Sequence, residues 1–346
     1  MENKFVKPWV GVVGIGLYLP SGRMSAKQIS EATQGFWSEE AIISKLGIVE
    51  KVIPGENDGT QAMGLLAALG CLQSTNTHPD EIDVVLSIGE EWKEYPLSTT
   101  SIAIINGIKA KNAWGIDLQN RCSSLLSAIK IAKDMLLADD DITTILIAGG
   151  YRNGDFVDYK NKDLSMFYDL GAGGGAILLK KNYPYNQVLS THIIADASLQ
   201  DHIRIDVGGM TNPISSDNLD YAYHSMKMID APKFKSHLES VSFLNWLACI
   251  DAVLNKESLT REAIDFIALP HIRPIKHETF LKQLSKTPNQ SIYLNHYGHI
   301  GQLDSLLSLK FALEDSLIKD NSLICLCAAG MGFVWASTLI RWGSVR

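Results

Sequence analysis

The stretch "SLLSAIKIAKDMLLADDDITTILIAGG" (124–150) has a similar counterpart later in this chain, and this internal repeat decides the fold. "SLLSLKFALEDSLIKDNSLICLCAAG" (305–330) matches it at an offset of 181 residues at the start and 180 at the end. "EAIDFIALPHI" (262–272) likewise matches "DEIDVVLSIGE" (80–90) at an offset of 182 residues. Similarity at one long, fixed spacing indicates a duplicated structural unit.

The repeat predicts a duplicated α/β fold with halves 1–182 and 183–346 related by a pseudo-twofold axis. Short apolar runs bounded by turn residues, such as "TTILIAG" and "SLICLCA", are typical of strands buried on both faces. They alternate with segments at 123–137, 234–254 and 305–317 whose apolar residues lie three and four apart, as in helices. Two such halves predict five layers, αβαβα, in which two mixed sheets enclose two buried helices.

The composition limits the class of protein. Of 346 residues, 46% are hydrophobic and 20% are charged, as in a globular chain. The net charge of −7 argues against a general nucleic-acid binder, and no apolar run reaches the ~18 residues of a membrane span. The first residues lack the layout of a signal peptide, and the five cysteines show no paired spacing. We expect a cytoplasmic protein with free thiols and neither nucleic-acid nor membrane partners.

One cysteine lies where a strand-like run gives way to a helix-like one, in "LQNRCSSLL" (118–126). Ser123 and Ser124 suit a helix start. A thiol at that point is close to the positive end of the helix dipole and to free backbone N–H groups, which favour the nucleophilic thiolate. The sequence therefore makes Cys122 a candidate nucleophile, whereas a small buried hydrophobe is the alternative role.

The chain resembles the ketoacyl-ACP synthase III family of the thiolase superfamily, and the likeness spans nearly its whole length. In this family's order come "GVVGIGLYLPSGRMSAKQI" (11–29), "KLGIVEKVI" (45–53), "EIDVVLSIG" (81–89), "YPLSTTSIAIINGIKAKNAWGIDLQNRCSS" (95–124), "GAGGGAILL" (171–179) and "CAAGMGFVWASTLIRW" (327–342). The resemblance implies a thiolase-like duplicated fold and an acyl-enzyme formed on Cys122.

Two histidines are expected at the same crevice as the thiol. His271 ends the strand-like run "DFIALPH", and His299 lies between an expected strand and the second buried helix. Ligands of open α/β sheets gather at the carboxyl ends of strands, and a pseudo-twofold would bring these ends together with Cys122. In the resemblance, His271 matches the family's catalytic histidine and His299 its asparagine.

An acyl-thioester on Cys122 requires donors for the developing negative charge on the carbonyl oxygen. We assign this oxyanion hole to the backbone N–H groups of Cys122 and Gly332. His271 and His299 are assigned to stabilise an enolate or to act as general bases. Tyr95, Ser123 and Phe167 are assigned to the substrate pocket, and Tyr95 would close the neighbouring subunit's pocket in the homodimer that the resemblance implies.

Several residues depart from the family pattern. Besides His299, these are Ser124 for a glycine, Lys45 for an arginine, Ala41 for a tryptophan that often stacks on coenzyme A, and Pro274 for an asparagine. They weaken the case for acetyl-CoA priming of housekeeping fatty acid synthesis. We expect a specialised relative in lipid or polyketide metabolism.

Four readings of the reaction remain open. The leading one is decarboxylative Claisen condensation of the acyl group on Cys122 with a malonyl-type thioester. A second is a non-condensing acyltransferase that delivers the acyl group to an alcohol or amine, and a third is a non-catalytic subunit of a heterodimeric synthase. A fourth, non-decarboxylative condensation, needs a carboxylate base; Glu90, Glu91 and Glu94 lie in a plausible loop for it, although an exposed acidic turn fits them better.

The remaining expectations concern partners and loops. The partners are acyl carrier protein or coenzyme A thioesters as substrates, without a metal or redox cofactor, and a second subunit bound through residues 95–108. The irregular segments 151–170 and 200–233 are candidate lids or binding loops, since long irregular segments in compact domains are often functional.

Overall fold

The computed structural model of the protein describes residues 8–89 and 92–345. Its strands are β1 Val10–Tyr18, β2 Gly22–Ser25, β3 Glu50–Ile53, β4 Val84–Ile88, β5 Trp114–Leu118, β6 Thr144–Tyr151, β7 Gly173–Lys181, β8 Tyr185–Ala195, β9 Ile203–Ile205, β10 Met226–Met228, β11 Phe266–Ala268, β12 Leu323–Gly330 and β13 Val334–Ser344. Its α-helices are α1 Ala26–Ala32, α2 Glu39–Ala41, α3 Thr60–Thr75, α4 Thr100–Ile108, α5 Ser124–Ala138, α6 Leu219–Ala222, α7 Ala231–Lys256, α8 Pro274–Gln283 and α9 Asp304–Glu314.

Two mixed sheets form the body of the protein and meet at one edge. Their strands hydrogen-bond in one continuous order, β11-β12-β13-β8-β1-β7-β6-β4-β5. The first sheet is the part β1-β7-β6-β4-β5, and the second is the part β11-β12-β13-β8. In the first, β4 runs parallel to β5 and β6, while β7 is antiparallel to both β1 and β6. β1 and β8 share one residue pair, Gly11 with Gln187, so the two sheets continue into one another. Strands β8, β11, β12 and β13 repeat the order of β1, β4, β6 and β7.

Helices α5 and α9 lie between the two sheets. Each contacts strands of both halves, while α3 and α4 cover the outer face of the first sheet and α7 that of the second. Helices enclosed on both sides must be apolar over most of their surface, and α5 and α9 each bury seven residues. The duplicated five-layered αβαβα fold is thereby confirmed.

The pseudo-twofold relation is visible at the starts of the two buried helices. α5 begins at Ser124 and α9 at Asp304, and each follows a short 3-10 turn. Both turns are entered through a left-handed residue, Arg121 with φ of 51° and Gly301 with φ of 56°. Arg121 adopts this conformation despite its Cβ atom, which L-residues other than glycine rarely do.

Two local expectations were wrong. The segment before His299 is a turn rather than a strand, because its backbone bonds to β3 and its flanks instead: Val49 N donates to Asn295 O at 2.9 Å and Val52 N to Tyr297 O at 3.1 Å. The helix expected at 305–317 ends at Glu314, because Ser316 takes a left-handed conformation with φ of 56°. In the parts of the chain that the structure describes, no helix is long and apolar enough to cross a membrane.

Candidate active site

A cavity of about 490 Å³ lies between the two halves and contains the candidate nucleophile. Cys122, His271 and His299 all line it. These residues come from three separate places in the chain, namely the turn before α5, the segment before α9 and the loop after β11. The arrangement follows from the duplication, which turns the corresponding ends of the two half-folds toward one crevice.

The turn that carries Cys122 is held by short-range hydrogen bonds. Asn120 N donates to Ser124 Oγ at 2.8 Å, and Ser124 Oγ donates to Arg121 O at 2.7 Å. Cys122 is 5% exposed at the N-terminal end of α5, where free N–H groups and the helix dipole favour an anion. Ser123, predicted in the pocket, is fully buried outside the cavity lining, and its Oγ donates to Val334 O at 2.9 Å. Its role here is to tie the turn to β13.

His299 connects the thiol to a buried carboxylate. Its Nε2 lies 3.3 Å from Cys122 Sγ, and its Nδ1 lies 2.6 Å from Asp304 Oδ2. Asp304 also accepts hydrogen bonds from His271 N at 2.7 Å and from Ile300 N at 2.6 Å. The three side chains therefore form a linear Cys–His–Asp chain, in which the carboxylate orients the ring and the ring faces the sulfur.

The electrostatic surroundings of His299 favour its protonated form. Burial lowers its pKa, but the charge of Asp304, the charge of Cys122 and the hydrogen bonds to both groups outweigh this and raise the pKa well above its ordinary value. A histidine with a raised pKa next to a thiol stabilises the imidazolium–thiolate pair, which is the reactive form of a nucleophilic cysteine. Cys122 and His299 can thus be activated together.

His271 is held in a different way. Its Nδ1 lies 2.7 Å from Asp169 Oδ2, and its Nε2 lies 3.1 Å from the carbonyl oxygen of Gly47. The ring stacks on Tyr293 at 5.4 Å between centroids. Both ring nitrogens of His271 therefore face oxygen atoms that can accept a hydrogen bond, the Asp169 carboxylate and the Gly47 carbonyl. His271 thus lines the cavity but directs its Nε2 toward Gly47, which differs from the expected donation toward the thiol's substrate.

The two histidines share one backbone support, the connecting segment 169–171. Asp169 O accepts from His299 N at 2.8 Å, and Gly171 N donates to His299 O at 2.8 Å. The Asp169 side chain meanwhile binds His271, lines the cavity and is largely buried. Burial raises its pKa, yet His271, His299 and Lys51 bring the pKa below its usual value. Asp169 is therefore a carboxylate that faces the imidazole rings of the site.

Comparison with known proteins identifies the family. The family model for 3-oxoacyl-[acyl-carrier-protein] synthase III matches residues 116–197, and the model for its C-terminal part matches residues 254–342. A β-ketoacyl-[acyl-carrier-protein] synthase III of Syntrophomonas wolfei is 25% identical over 338 residues, which cover 96% of this chain and 98% of that protein. The chain belongs to the 3-oxoacyl-ACP synthase III family. It is accordingly an acyltransferase of the thiolase fold.

Solved structures show the same fold. The 3-oxoacyl-[acyl-carrier-protein] synthase III of Aquifex aeolicus superposes with a TM-score of 0.81 at 21% identity, covering 96% of this chain and all of that one. OleA of Xanthomonas campestris, solved with lauric acid and lauroyl-CoA, superposes with a TM-score of 0.81 at 15% identity, covering 97% of this chain and 100% of that one. The match extends over both halves of the duplicated fold.

In this synthase III fold, the cavity has an apolar wall and charged residues at its mouth. Phe167, which the sequence placed in the pocket, lies in the wall with Phe243, Trp246 and Phe333. The mouth is formed by Lys235 and Glu239 of α7, Lys276 of α8 and Arg273 just before α8. Lys276 pairs with Glu239 across the two helices, and Lys235 Nζ lies 3.9 Å from Asp163 Oδ1. The shape suits an apolar chain whose polar end remains at the mouth.

Other predicted residues lie elsewhere. Tyr95 is 73% exposed and lies outside the lining of this chain's cavity. Glu94 caps α3 by accepting from Gln61 N at 3.0 Å and Ala62 N at 2.9 Å, so its carboxylate has a structural role. Glu90 and Glu91 lie outside the described residues. Gly332 lies between two cavity-lining residues, and its part in an oxyanion hole stays a prediction.

Asp169 and Asp304 are the site residues that sequence reasoning missed. The sequence could have indicated Asp304, since it is a carboxylate at the start of a helix expected to be buried, and a buried charge requires partners. Asp169 gave no such indication, because it lies 102 residues from His271 in an irregular segment. Over residues 8–89 and 92–345, no three His, Cys, Asp or Glu side chains are grouped so as to hold a metal ion.

Proposed function

We propose that Cys122 receives an acyl group as a thioester and then passes it to a malonyl-type thioester in a decarboxylative Claisen condensation. The observation that carries this proposal is the Cys122–His299–Asp304 chain at 3.3 Å and 2.6 Å. In the first half-reaction, the Cys122 thiolate attacks the acyl carbonyl, the donor's C–S bond breaks, and the donor leaves as a thiol or thiolate. Backbone N–H groups at the start of α5 and from Gly332 would hold the oxyanion.

In the second half-reaction, loss of carbon dioxide from the malonyl group leaves an enolate. Its carbon attacks the acyl-Cys122 carbonyl, and Cys122 leaves as the thiolate. An enolate oxygen needs hydrogen-bond donors, so His299 must keep its Nε2 proton during this step. Asp304 favours this state because its charge raises the pKa of His299, and its charge remains when Cys122 is acylated. His271 would contribute the second donor after its Nε2 leaves Gly47 O.

A second function is favoured by the same chain of side chains. A neutral His299, protonated on Nδ1 toward Asp304, would present an unprotonated Nε2 to an alcohol or amine and act as its general base. The enzyme would then transfer the acyl group without condensation. The non-catalytic subunit fits less well, since such a subunit has no use for an oriented cysteine and histidine.

The donor is a thioester of acyl carrier protein or coenzyme A. The proposal is supported by the cations Lys235, Arg273 and Lys276 at the cavity mouth, which suit a phosphate-bearing arm, and by the carrier protein in the relatives' names. The acyl chain would lie along Phe167 and the aromatic wall. Thioester chemistry at this site uses no separate cofactor.

A homodimer that acts in the cytoplasm completes the proposal. Trp114 and Ile116 of the edge strand β5 are 49% and 45% exposed, and Ile102 of α4 is 50% exposed. An edge strand with exposed apolar side chains suits pairing with a second copy. In that dimer Tyr95 would reach the other subunit's pocket. The five cysteines are all free, which suits a reducing compartment.

Intact-protein mass spectrometry after incubation with acyl-CoA and acyl-carrier-protein donors tests the covalent step. We expect the acyl mass on the wild type, its absence from Cys122→Ala, and its presence on the control Cys249→Ala. Cys249 is a suitable control because it is fully buried and absent from the cavity lining. Carbon dioxide release on addition of a malonyl thioester indicates condensation, and transfer to an alcohol or amine without it indicates the second function. No label from any donor would contradict both.

A further inference from the structure

A buried lysine lies behind the active site. Lys51 of β3 is 1% exposed, and its Nζ donates to Leu170 O at 2.7 Å and to Tyr159 OH at 2.6 Å. A charged group is rarely buried unless its partners offset the cost of removing it from water. The ammonium group of Lys51 thus has two acceptors, a carbonyl of the segment 169–171 and the phenol of Tyr159 in the neighbouring loop.

The carbonyl that Lys51 holds belongs to the support of both histidines. Leu170 lies between Asp169, which binds His271 through its carboxylate and His299 N through its carbonyl, and Gly171, which donates to His299 O. A movement of this segment would therefore displace both imidazole rings at once. Catalytic groups need to be held to within a fraction of an ångström, and supporting hydrogen bonds provide this.

We propose that Lys51 is a positioning residue of the acyl-transfer reaction, which anchors the segment 169–171 through Leu170 O and places a positive charge behind Asp169. This inference rests on the proposed function, because it concerns the histidines that serve it. Lys51 lies outside the lining of the active-site cavity, so its effect passes through Asp169 and the backbone rather than through substrate contact.

The charge state of Lys51 makes this role dependent on pH. Burial lowers its pKa to about 8, against the opposing charges of Asp169 and Asp155, and Tyr159 is the remaining titratable group at its Nζ. Asp169 in turn faces His271, His299 and Lys51. Above pH 8 the ammonium loses its proton, so its hydrogen bond to Leu170 O weakens and Asp169 loses a neighbouring positive charge. Turnover should then fall on the alkaline side.

The test compares Lys51→Met and Lys51→Arg with a matched control. Lys286→Met also removes a buried lysine that donates to two carbonyls, Glu262 O at 3.2 Å and Ile264 O at 2.6 Å, but these precede β11 whereas His271 follows it. We expect Lys51→Met to load acyl on Cys122 and to turn over about tenfold more slowly than Lys286→Met, a typical effect of losing a supporting hydrogen bond. Lys51→Arg should lose the fall near pH 8, because arginine stays charged.

A further variant keeps the lysine in place. Tyr159→Phe removes one acceptor from the ammonium, which destabilises its charged form, so the alkaline fall in turnover should move to lower pH. The role of Lys51 would be overturned if Lys51→Arg and Tyr159→Phe each showed the turnover and the pH profile of the wild type. Failure of the proposed function gives a different result, since the wild type would then acquire no acyl mass on Cys122.

Discussion

Replacing Asp304 by asparagine keeps the shape of the side chain and removes its charge. The carboxylate accepts three hydrogen bonds, from His299 Nδ1 at 2.6 Å, His271 N at 2.7 Å and Ile300 N at 2.6 Å. Asparagine offers one oxygen and an NH₂ group, which is itself a donor. Whichever way the amide is placed, at least one of these three groups faces a donor instead of an acceptor.

Two magnitudes follow for Asp304→Asn. A buried N–H group without an acceptor costs about 1–3 kcal/mol, so the free energy of unfolding should fall by that amount. The charged hydrogen bond to His299 is replaced by a neutral one, and a loss of about 2–4 kcal/mol of stabilisation corresponds to a rate lowered by about 30- to 1000-fold. The effect on acylation should therefore exceed the effect on folding.

The assay is the rate of acyl loading on Cys122, measured by quenched-flow mass spectrometry across pH. Asp304 raises the pKa of His299, so the variant should lose its imidazolium, and with it the fast reaction, at a lower pH than the wild type. Asp83→Asn is the control, because Asp83 also accepts two backbone N–H groups, Thr143 N at 2.7 Å and Thr144 N at 2.9 Å, away from the cavity. If Asp304→Asn loads acyl at the control's rate, and its loading rate declines at the same alkaline pH as that of the wild type, Asp304 does not activate His299 and Cys122.

Two further predictions concern stability and assembly. Burial lowers the pKa of His277 from 6.5 to about 4, so between these pH values the unfolded chain binds a proton more readily than the folded one. The free energy of unfolding should therefore decrease by about 2 kcal/mol as the pH is lowered from 8 to 5. Urea unfolding at both pH values should show that His277→Phe lacks this contribution; an equal pH dependence in both proteins would contradict it. Light scattering should give a dimer for the wild type and for Leu317→Lys, and a monomer for Ile116→Lys, whereas a monomeric wild type would exclude the homodimer.

Much of the architecture could be predicted because its signals are local or periodic. The repeat of 124–150 at 305–330 required two similar half-folds, and the burial of both copies followed from their apolar faces. Cys122 could be placed at the start of α5 because the change from strand to helix pattern falls beside it. The conformation of the segment before His299 could not be predicted, since its backbone partners lie in and beside β3, far away in the sequence.

The sequence by itself determined a duplicated αβαβα fold with a thiol at the start of a buried helix and two histidines near it. Only the tertiary structure decided how those histidines are used. His299 reaches Cys122 because Asp304 orients its ring, whereas His271 turns its Nε2 to Gly47 O under the hold of Asp169. Ring orientation depends on which acceptor lies nearest after packing, and acceptors brought together from distant parts of the chain leave no periodic trace in its sequence.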